Sequence, residues 1–106
     1  MTTFDDREQA FERKFAHDAE MQFKAQARRD RLLGLWAAEL MGLDAEAAAE
    51  YAKSVVIADL EEAGDDDVFR KVSADLQAKG VPTDGLRAKM DELLAVAKAQ
   101  IMSEGV

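Results

Sequence analysis

The stretch RLLGLWAAELMGLDAEAAAEYAKSVVIADL, residues 31–60, decides the fold. It contains two apolar runs with helical periodicity, and Gly42 and Asp44 stand between them. A glycine in this position commonly ends a helix in the left-handed conformation, and an aspartate oxygen caps the next helix. Because the connection is so short, the two helices should lie antiparallel and in contact. The stretch therefore predicts a helical hairpin.

The same pattern, a glycine followed by a residue that can cap a helix, recurs towards the C-terminus. Gly64 is followed by Asp65, Asp66 and Asp67, and Gly80 is followed by Pro82 and the potential cap Thr83. No strand-like alternation persists, and the chain holds only 6 Gly and 1 Pro. The predicted fold is all-α, a four-helix bundle with short loops and no sheet, its helices spanning about 4–41, 45–63, 67–79 and 84–103.

Three of the predicted helices carry one apolar stripe each, at the three-and-four spacing of a buried helix face. In the second helix the stripe is rich in alanine, which would let a neighbouring helix approach closely. The stripes of the second, third and fourth helices are Ala48, Ala52, Val55, Val56, Leu60 and Ala63; Val68, Phe69, Val72 and Leu76; and Leu86, Met90, Leu93, Leu94, Ala97 and Ile101.

Composition excludes several classes of function. The chain has 106 residues, no Cys and a net charge of −8. Residues 1–31 have no net charge, so the excess of acidic residues lies in the rest of the chain. Disulfides and thiol chemistry are excluded, and general affinity for nucleic acid or anionic lipid is disfavoured. No apolar run reaches the ~18–20 residues of a membrane span, and the first residues lack the pattern of a signal peptide. We expect a soluble, cytoplasmic, acidic protein without membrane insertion.

The first predicted helix is too long for the bundle. Its 38 residues would extend about 57 Å, whereas the second and fourth helices reach only about 30 Å. A dense apolar band marks the half that should belong to the core, and a polar waist with little apolar content, residues 24–31, precedes that band. The band consists of Leu32, Leu33, Leu35, Trp36, Leu40 and Met41.

Before the waist, Phe4, Phe11 and Phe15 would lie within about 40° of one another on a helix turning ~100° per residue. Two arrangements are open: the helix bends back and the rings join the core, or residues 1–18 form a free or frayed segment that docks on a partner. Residues 4–33 contain no Gly or Pro at which a bend would be expected. We therefore predict a docking segment, residues 1–18, and a bundle domain, residues 19–106, with contacts from Phe4, Arg7, Phe11, Arg13, Lys14 and Phe15.

Catalytic and metal-binding patterns are weak. His17 stands in a charged helical segment with no nucleophile at helical spacing, so an acid–base role is disfavoured. The run from Asp65 to Asp67 starts like a calcium loop but lacks its later glycine and glutamate, so carboxylates favouring the helix dipole explain it better. We expect no enzyme, no metal site and no cofactor.

One cationic cluster stands out. Arg28, Arg29 and Arg31, close in sequence to Trp36, could hold an anion or the phosphates of ATP or ADP weakly. The alternative is that these arginines are solvated or paired with nearby acids such as Asp30.

Three stretches also resemble a known family: MTTFDDREQAFERKFAHD, RRDRLLGLWAAELMGL and EEAGDDDVFRKV. They are similar to the alphaproteobacterial ATPase inhibitor subunit zeta family, first described as a domain of unknown function. The resemblance implies a four-helix bundle whose N-terminal segment inserts at a catalytic subunit interface of the F-type ATP synthase and blocks ATP hydrolysis. It places the inhibitory segment at residues 1–18 and the protein, a monomer when free, at the inner face of the plasma membrane through the ATP synthase.

Two other functions stay open at this stage. The same N-terminal helix could make the protein an adaptor or regulator of a different partner, in the manner of an anti-sigma factor. Alternatively, the arginine cluster could make it a small nucleotide-binding protein. They differ in the residues that carry the function, which are the N-terminal segment for the adaptor and the arginine cluster for the nucleotide-binding protein.

Overall fold

The computed structural model describes residues 19–61 and 65–104. Over these residues the chain forms four helices, which confirms the predicted all-α bundle. Helix α1 makes its most extensive contacts with α2 and then with α4, while α3 packs mainly on α2. The predicted start of the first helix at residue 4 lies outside the described residues. The helices are α1 (Ala19–Leu40), α2 (Ala45–Glu61), α3 (Asp65–Ala78) and α4 (Leu86–Glu104).

The predicted helix boundaries hold to within two residues where the structure describes them. Gly42 ends α1 with a φ of 75°, and the Ala47 N–H donates to Asp44 Oδ1 over 2.8 Å at the start of α2. Helix α3 begins at Asp65 rather than residue 67, so the aspartates belong to its first turn. Helix α4 begins at Leu86 rather than residue 84, because Gly85 adopts a left-handed φ of 79° that interrupts helical geometry.

The core lies where the predicted stripes meet. Most stripe positions are buried or half-buried, but Leu60 is 59% exposed, which corrects its assignment to the α2 stripe. At ~100° per residue, Leu60 lies about 140° round the helix from Val55. The buried cluster is Leu33, Ala37, Val55, Val68, Val72, Leu76, Leu86 and Met90.

The division of the first helix into an apolar band and a polar waist was partly wrong. Leu35 and Leu40 of the band are exposed, Leu35 because it points away from Leu33 and Leu40 because it ends α1. In the waist, Ala25, Arg29 and Asp30 are buried, since the bundle covers α1 back to that point. The body of the protein therefore reaches further along α1 than the sequence indicated.

Helices α1 and α2 touch backbone to backbone. A Cβ atom built on Gly34 would lie 2.5 Å from the Ala52 Cα, which confirms that the alanine-rich face of α2 permits a close approach. Gly34 is part of a continuous helix and does not act as a hinge. Within the described ranges, none of the helices combines the length and the hydropathy that a membrane span requires.

Candidate functional site

A groove with cationic walls opens between three helices at one end of the bundle. Its volume is about 620 Å³, which is within the usual range of small-ligand sites. Helix α1 contributes most of the lining. Because α4 packs antiparallel to α1, the last turn of α4 also lines the groove. The groove is lined by Phe23, Lys24, Ala27, Arg28 and Arg31 from α1, Val56 from α2, and Ile101 and Glu104 from α4.

The structure separates the three arginines that the sequence grouped. Arg28 and Arg31 are three residues apart, share a helix face and line the groove. Arg29 is turned about 100° from Arg28 and is only 1% exposed, so it does not reach the groove. Lys24 joins the other two cations, because it precedes Arg28 by four residues. Lys24 was not among the predicted cations, although the spacing 24, 28, 31 already places these side chains on one face.

Glu104 closes one side of the groove on Arg28. The guanidinium donates through both Nη atoms to the two carboxylate oxygens, with Nη2 at 3.0 Å from Oε1. This hydrogen bonding raises the pKa of Arg28 and lowers the pKa of Glu104. Glu104 was not a predicted site residue, because it lies 76 positions from Arg28 and no local pattern joins the two. The pair means that an incoming anion competes with Glu104 for Arg28.

The remaining groups at the rim have simple roles. Lys24 forms an exposed ion pair with Glu20 at 3.5 Å, as expected for a pair four residues apart. Phe23 is 54% exposed and offers a flat ring beside the cations. Trp36 does not line the groove, although it is close to the arginines in sequence. Its ring lies under Lys89, whose Nζ is 5.6 Å from the ring centroid.

Arg29 and Asp30 form a second polar site inside the bundle. Arg29 Nε donates to Asp30 Oδ1 over 2.7 Å, and the two side chains are 1% and 0% exposed. Burial first, and the neighbouring carboxyl of Asp59 second, raise the pKa of Asp30 to about 8 against the opposing effect of Arg29. Arg29 therefore fits the second alternative for the arginine cluster, in which an arginine is paired with Asp30.

The predicted docking residues Phe4, Arg7, Phe11, Arg13, Lys14 and Phe15, and His17, all lie outside the described residues. Across the part of the chain that the structure describes, no group of three or more His, Cys, Asp or Glu side chains is arranged to hold a metal ion. The groove combines three cations with apolar walls, an arrangement suited to binding an anion.

Comparison with known proteins decides the family. The family model described as ATPase inhibitor subunit zeta matches residues 1–100. The chain belongs to the ATPase inhibitor subunit zeta family. The match confirms the resemblance seen in the three sequence stretches, and the name of the zeta family denotes a regulatory rather than a catalytic role.

A solved structure agrees with this zeta-family bundle. It is a solution NMR structure of a protein that is 56% identical, and the alignment covers 79% of this chain and 98% of that chain with a TM-score of 0.70. The comparison with curated proteins found no match.

Proposed function

We propose that this zeta-family protein inhibits ATP hydrolysis by the F-type ATP synthase, with residues 1–18 entering an interface of the catalytic subunits. One observation carries the proposal: the family match runs over residues 1–100 and so includes the whole proposed docking segment. Through the ATP synthase, the protein would be peripheral at the cytoplasmic face of the plasma membrane, and it would be a monomer when free.

The sequence of the docking segment supplies the physical basis. Burying Phe4, Phe11 and Phe15 in a groove of the partner would contribute about 5–9 kcal/mol, at ~1.5–3 kcal/mol for each ring. Ordering the segment offsets part of that gain. Flanking charges such as Arg13 and Lys14 would fix the register and select the partner. This is the mode in which an amphipathic helix docks in a groove.

The bundle has a separate role in the proposed mechanism. Four packed helices are far wider than a single helix of about 10–12 Å, so residues 19–106 would stay outside the interface as a stop. The interface would close around the phenylalanines during hydrolysis, and rotation in the synthesis direction would open it and expel them. Inhibition would then act in one direction.

The decisive experiment titrates three forms of the chain into an ATP-hydrolysing F-type ATPase from the same source. The forms are the full chain, a chain lacking residues 1–18, and the triple variant Phe4→Ala, Phe11→Ala, Phe15→Ala. We expect truncation to abolish inhibition and the triple variant to need at least about 100-fold more protein for half inhibition. Leu60→Ala, which removes an exposed apolar side chain from α2, is the matched control and should inhibit normally.

Equal inhibition by the truncated chain would refute the role of residues 1–18. If no form inhibits, co-purification with the full chain as bait tests the remaining adaptor hypothesis. A partner other than the ATPase, captured by the full chain and lost on truncation, would then support it.

A second function, weak binding of ATP or ADP, is favoured by the geometry of the groove. Lys24, Arg28 and Arg31 form a row of three cations suited to phosphates, and Phe23 stands beside them for a base to stack on. Two of these cations belong to the predicted arginine cluster, and the third replaces Arg29.

Isothermal titration calorimetry with ADP and with tripolyphosphate tests this function. Arg31→Ala should weaken both ligands, and Phe23→Ala should weaken ADP alone if the base stacks on the ring. Lys53→Ala removes an exposed lysine outside the groove and serves as the control. Equal affinities for Arg31→Ala and Lys53→Ala would exclude the groove as the binding site.

A further inference from the structure

The buried carboxyl of Asp30 has one oxygen that the visible hydrogen bonds leave unused. Its Oδ1 accepts from Arg29 Nε at 2.7 Å. Its Oδ2 is buried and, among the described residues, has no hydrogen-bond partner. An unsatisfied buried oxygen on a charged carboxylate is costly, so its presence needs a physical explanation.

The carboxyl of Asp59 provides the explanation. It lies on α2 and acts on Asp30 both as a hydrogen-bonding neighbour and through its charge. Two ionised carboxylates are both acceptors and repel each other, whereas one proton between them makes a strong hydrogen bond. Protonated Asp30 then donates to Asp59, and the unused oxygen is satisfied.

We propose that Asp30 and Asp59 form a proton-binding site that holds α1 and α2 together while occupied and loosens their junction when the proton leaves for solvent. The bound species is a single proton, and its site is built from one side chain on each helix. This regulatory property is independent of the function proposed above.

The charged groups around Asp30 determine how tightly this carboxyl holds its proton. Among the described residues, the charged groups that act on Asp30 are Arg29 on its own helix and Asp59 on α2, with no such group on α3 or α4. Arg29 has a further interaction besides Asp30, so neutralising Asp30 does not leave the guanidinium without a partner. Burial outweighs the attraction of Arg29, and the pKa of Asp30 rises to about 8.

The position of the pair explains its mechanical effect. Asp30 lies one turn before Gly34, where α1 meets Ala52 of α2 backbone to backbone. Asp59 lies two turns after Ala52 on the antiparallel helix. A second negative charge at this point would push apart the ends of the two helices that lie beyond the Gly34 crossing. That end of α1 leads directly into the proposed docking segment.

The pH dependence follows from the sign of the shift. The pKa of Asp30 is higher in the folded state than its ordinary value near 4, so its protonated form stabilises the folded state. This stabilisation is fully present below about pH 4 and is lost as the pH rises towards about 8. Neutral and mildly alkaline conditions are therefore the range over which the junction responds.

The first test measures the folding equilibrium constant of the full chain by urea unfolding from pH 6 to pH 9. We expect Asp30 to reduce this constant by about 10- to 100-fold over the range. Asp59→Asn supplies an amide donor in place of the proton and should make this decrease smaller, although the burial of Asp30 remains and preserves part of it. Asp91→Asn, at an exposed carboxylate on α4, leaves every other titrating group intact and should behave like the natural chain.

The second test measures the titration directly in the natural chain and uses a variant only to assign the resonance. Carbon-13 NMR of the natural chain with labelled aspartate carboxyls should show one resonance that titrates near pH 8, as the raised pKa of Asp30 requires. Assignment by Asp30→Asn, which mimics the protonated carboxyl, should remove that resonance. Titration of every aspartate below pH 5, or the same pH dependence in Asp59→Asn as in the natural chain, would overturn the proposal.

Discussion

Gly34 of α1 lies against Ala52 of α2 so closely that the position has no room for a side chain. A Cβ at position 34 would stand 2.5 Å from the Ala52 Cα and 3.1 Å from the Ala52 Cβ. The contact joins two helix backbones, so a shift of one flexible side chain cannot relieve it. It sets the separation of α1 and α2 at this crossing.

Gly34→Ala is therefore expected to destabilise the protein, although alanine is the better helix former by about 1 kcal/mol. Moving two packed backbones apart costs about 1–3 kcal/mol, which exceeds the gain in helix propensity. Urea unfolding of the full chain measures the difference. Gln26→Ala, an exposed position of the same helix, should be nearly neutral. A variant at position 34 more stable than the natural chain would show that the helices separate easily.

Tyr51 should ionise at unusually high pH. Its hydroxyl donates to Asp75 Oδ2 over 2.8 Å, and burial first and this carboxylate second raise its pKa above the ordinary value near 10. Because the raised pKa belongs to the folded state, the stabilisation is present below pH 10 and is lost as the pH rises further. The chain has one Tyr, so absorbance at about 295 nm reports its ionisation directly.

Asp75→Asn should lower the ionisation midpoint of Tyr51 without returning it to the ordinary value, since burial remains. Tyr51→Phe should cost about 1 kcal/mol of stability, the usual net value of a hydrogen bond. Lys71 lies 3.1 Å from the same Asp75 oxygen and keeps that carboxylate paired. A Tyr51 midpoint at pH 10 in the natural chain would contradict the buried hydrogen bond.

Asp44 should stabilise the start of α2 through its cap. The Ala47 N–H donates to its carboxylate at 2.8 Å, and removal of such a cap typically costs about 1 kcal/mol. We expect this loss for Asp44→Ala in urea unfolding. Asp44→Ser keeps an oxygen acceptor and should retain most of the stability. Equal losses for the two variants would assign the effect to charge rather than to the hydrogen bond.

Glu104→Gln should strengthen the binding of tripolyphosphate to the groove. The substitution frees Arg28 from its competing carboxylate, and exposed ion pairs of this kind are worth an affinity change of about two- to fivefold. The effect should shrink at high salt, because Glu104 is exposed and Arg28 is only half-buried. Calorimetry at two salt concentrations measures it, with Glu46→Gln on α2 as the control. Unchanged affinity would mean that the ligand does not contact Arg28.

Much of the fold could be predicted because it depends on local rules. Gly42, Gly80 and the cap at Asp44 act within a few residues, so helix ends are visible in the sequence. The stripe of α3 is likewise a local periodicity, and Val68, Val72 and Leu76 are all buried. These features need no knowledge of which helix packs where.

The site could be predicted only in part, because it depends on contacts between distant positions. Charge density grouped Arg29 with Arg28 and Arg31, yet one step of helix rotation turns Arg29 inward. Glu104 reaches Arg28 only through the antiparallel packing of α4 on α1. The partner of Asp30 on α2 was equally hidden, since periodicity assigns charged residues to the surface. Polar burial is a tertiary property, and a single sequence carries little signal for it.

The position of Trp36 beneath Lys89 has a practical consequence for optical work. The chain contains one tryptophan, and this ring packs at the seam of α1 and α4 rather than beside the cationic walls. The emission of Trp36 should therefore report on the contact between α1 and α4. We expect it to shift to longer wavelength when these two helices separate and to stay unchanged when a phosphate ligand binds in the groove. Folding can thus be followed by fluorescence while the groove is occupied, with one signal and no added dye.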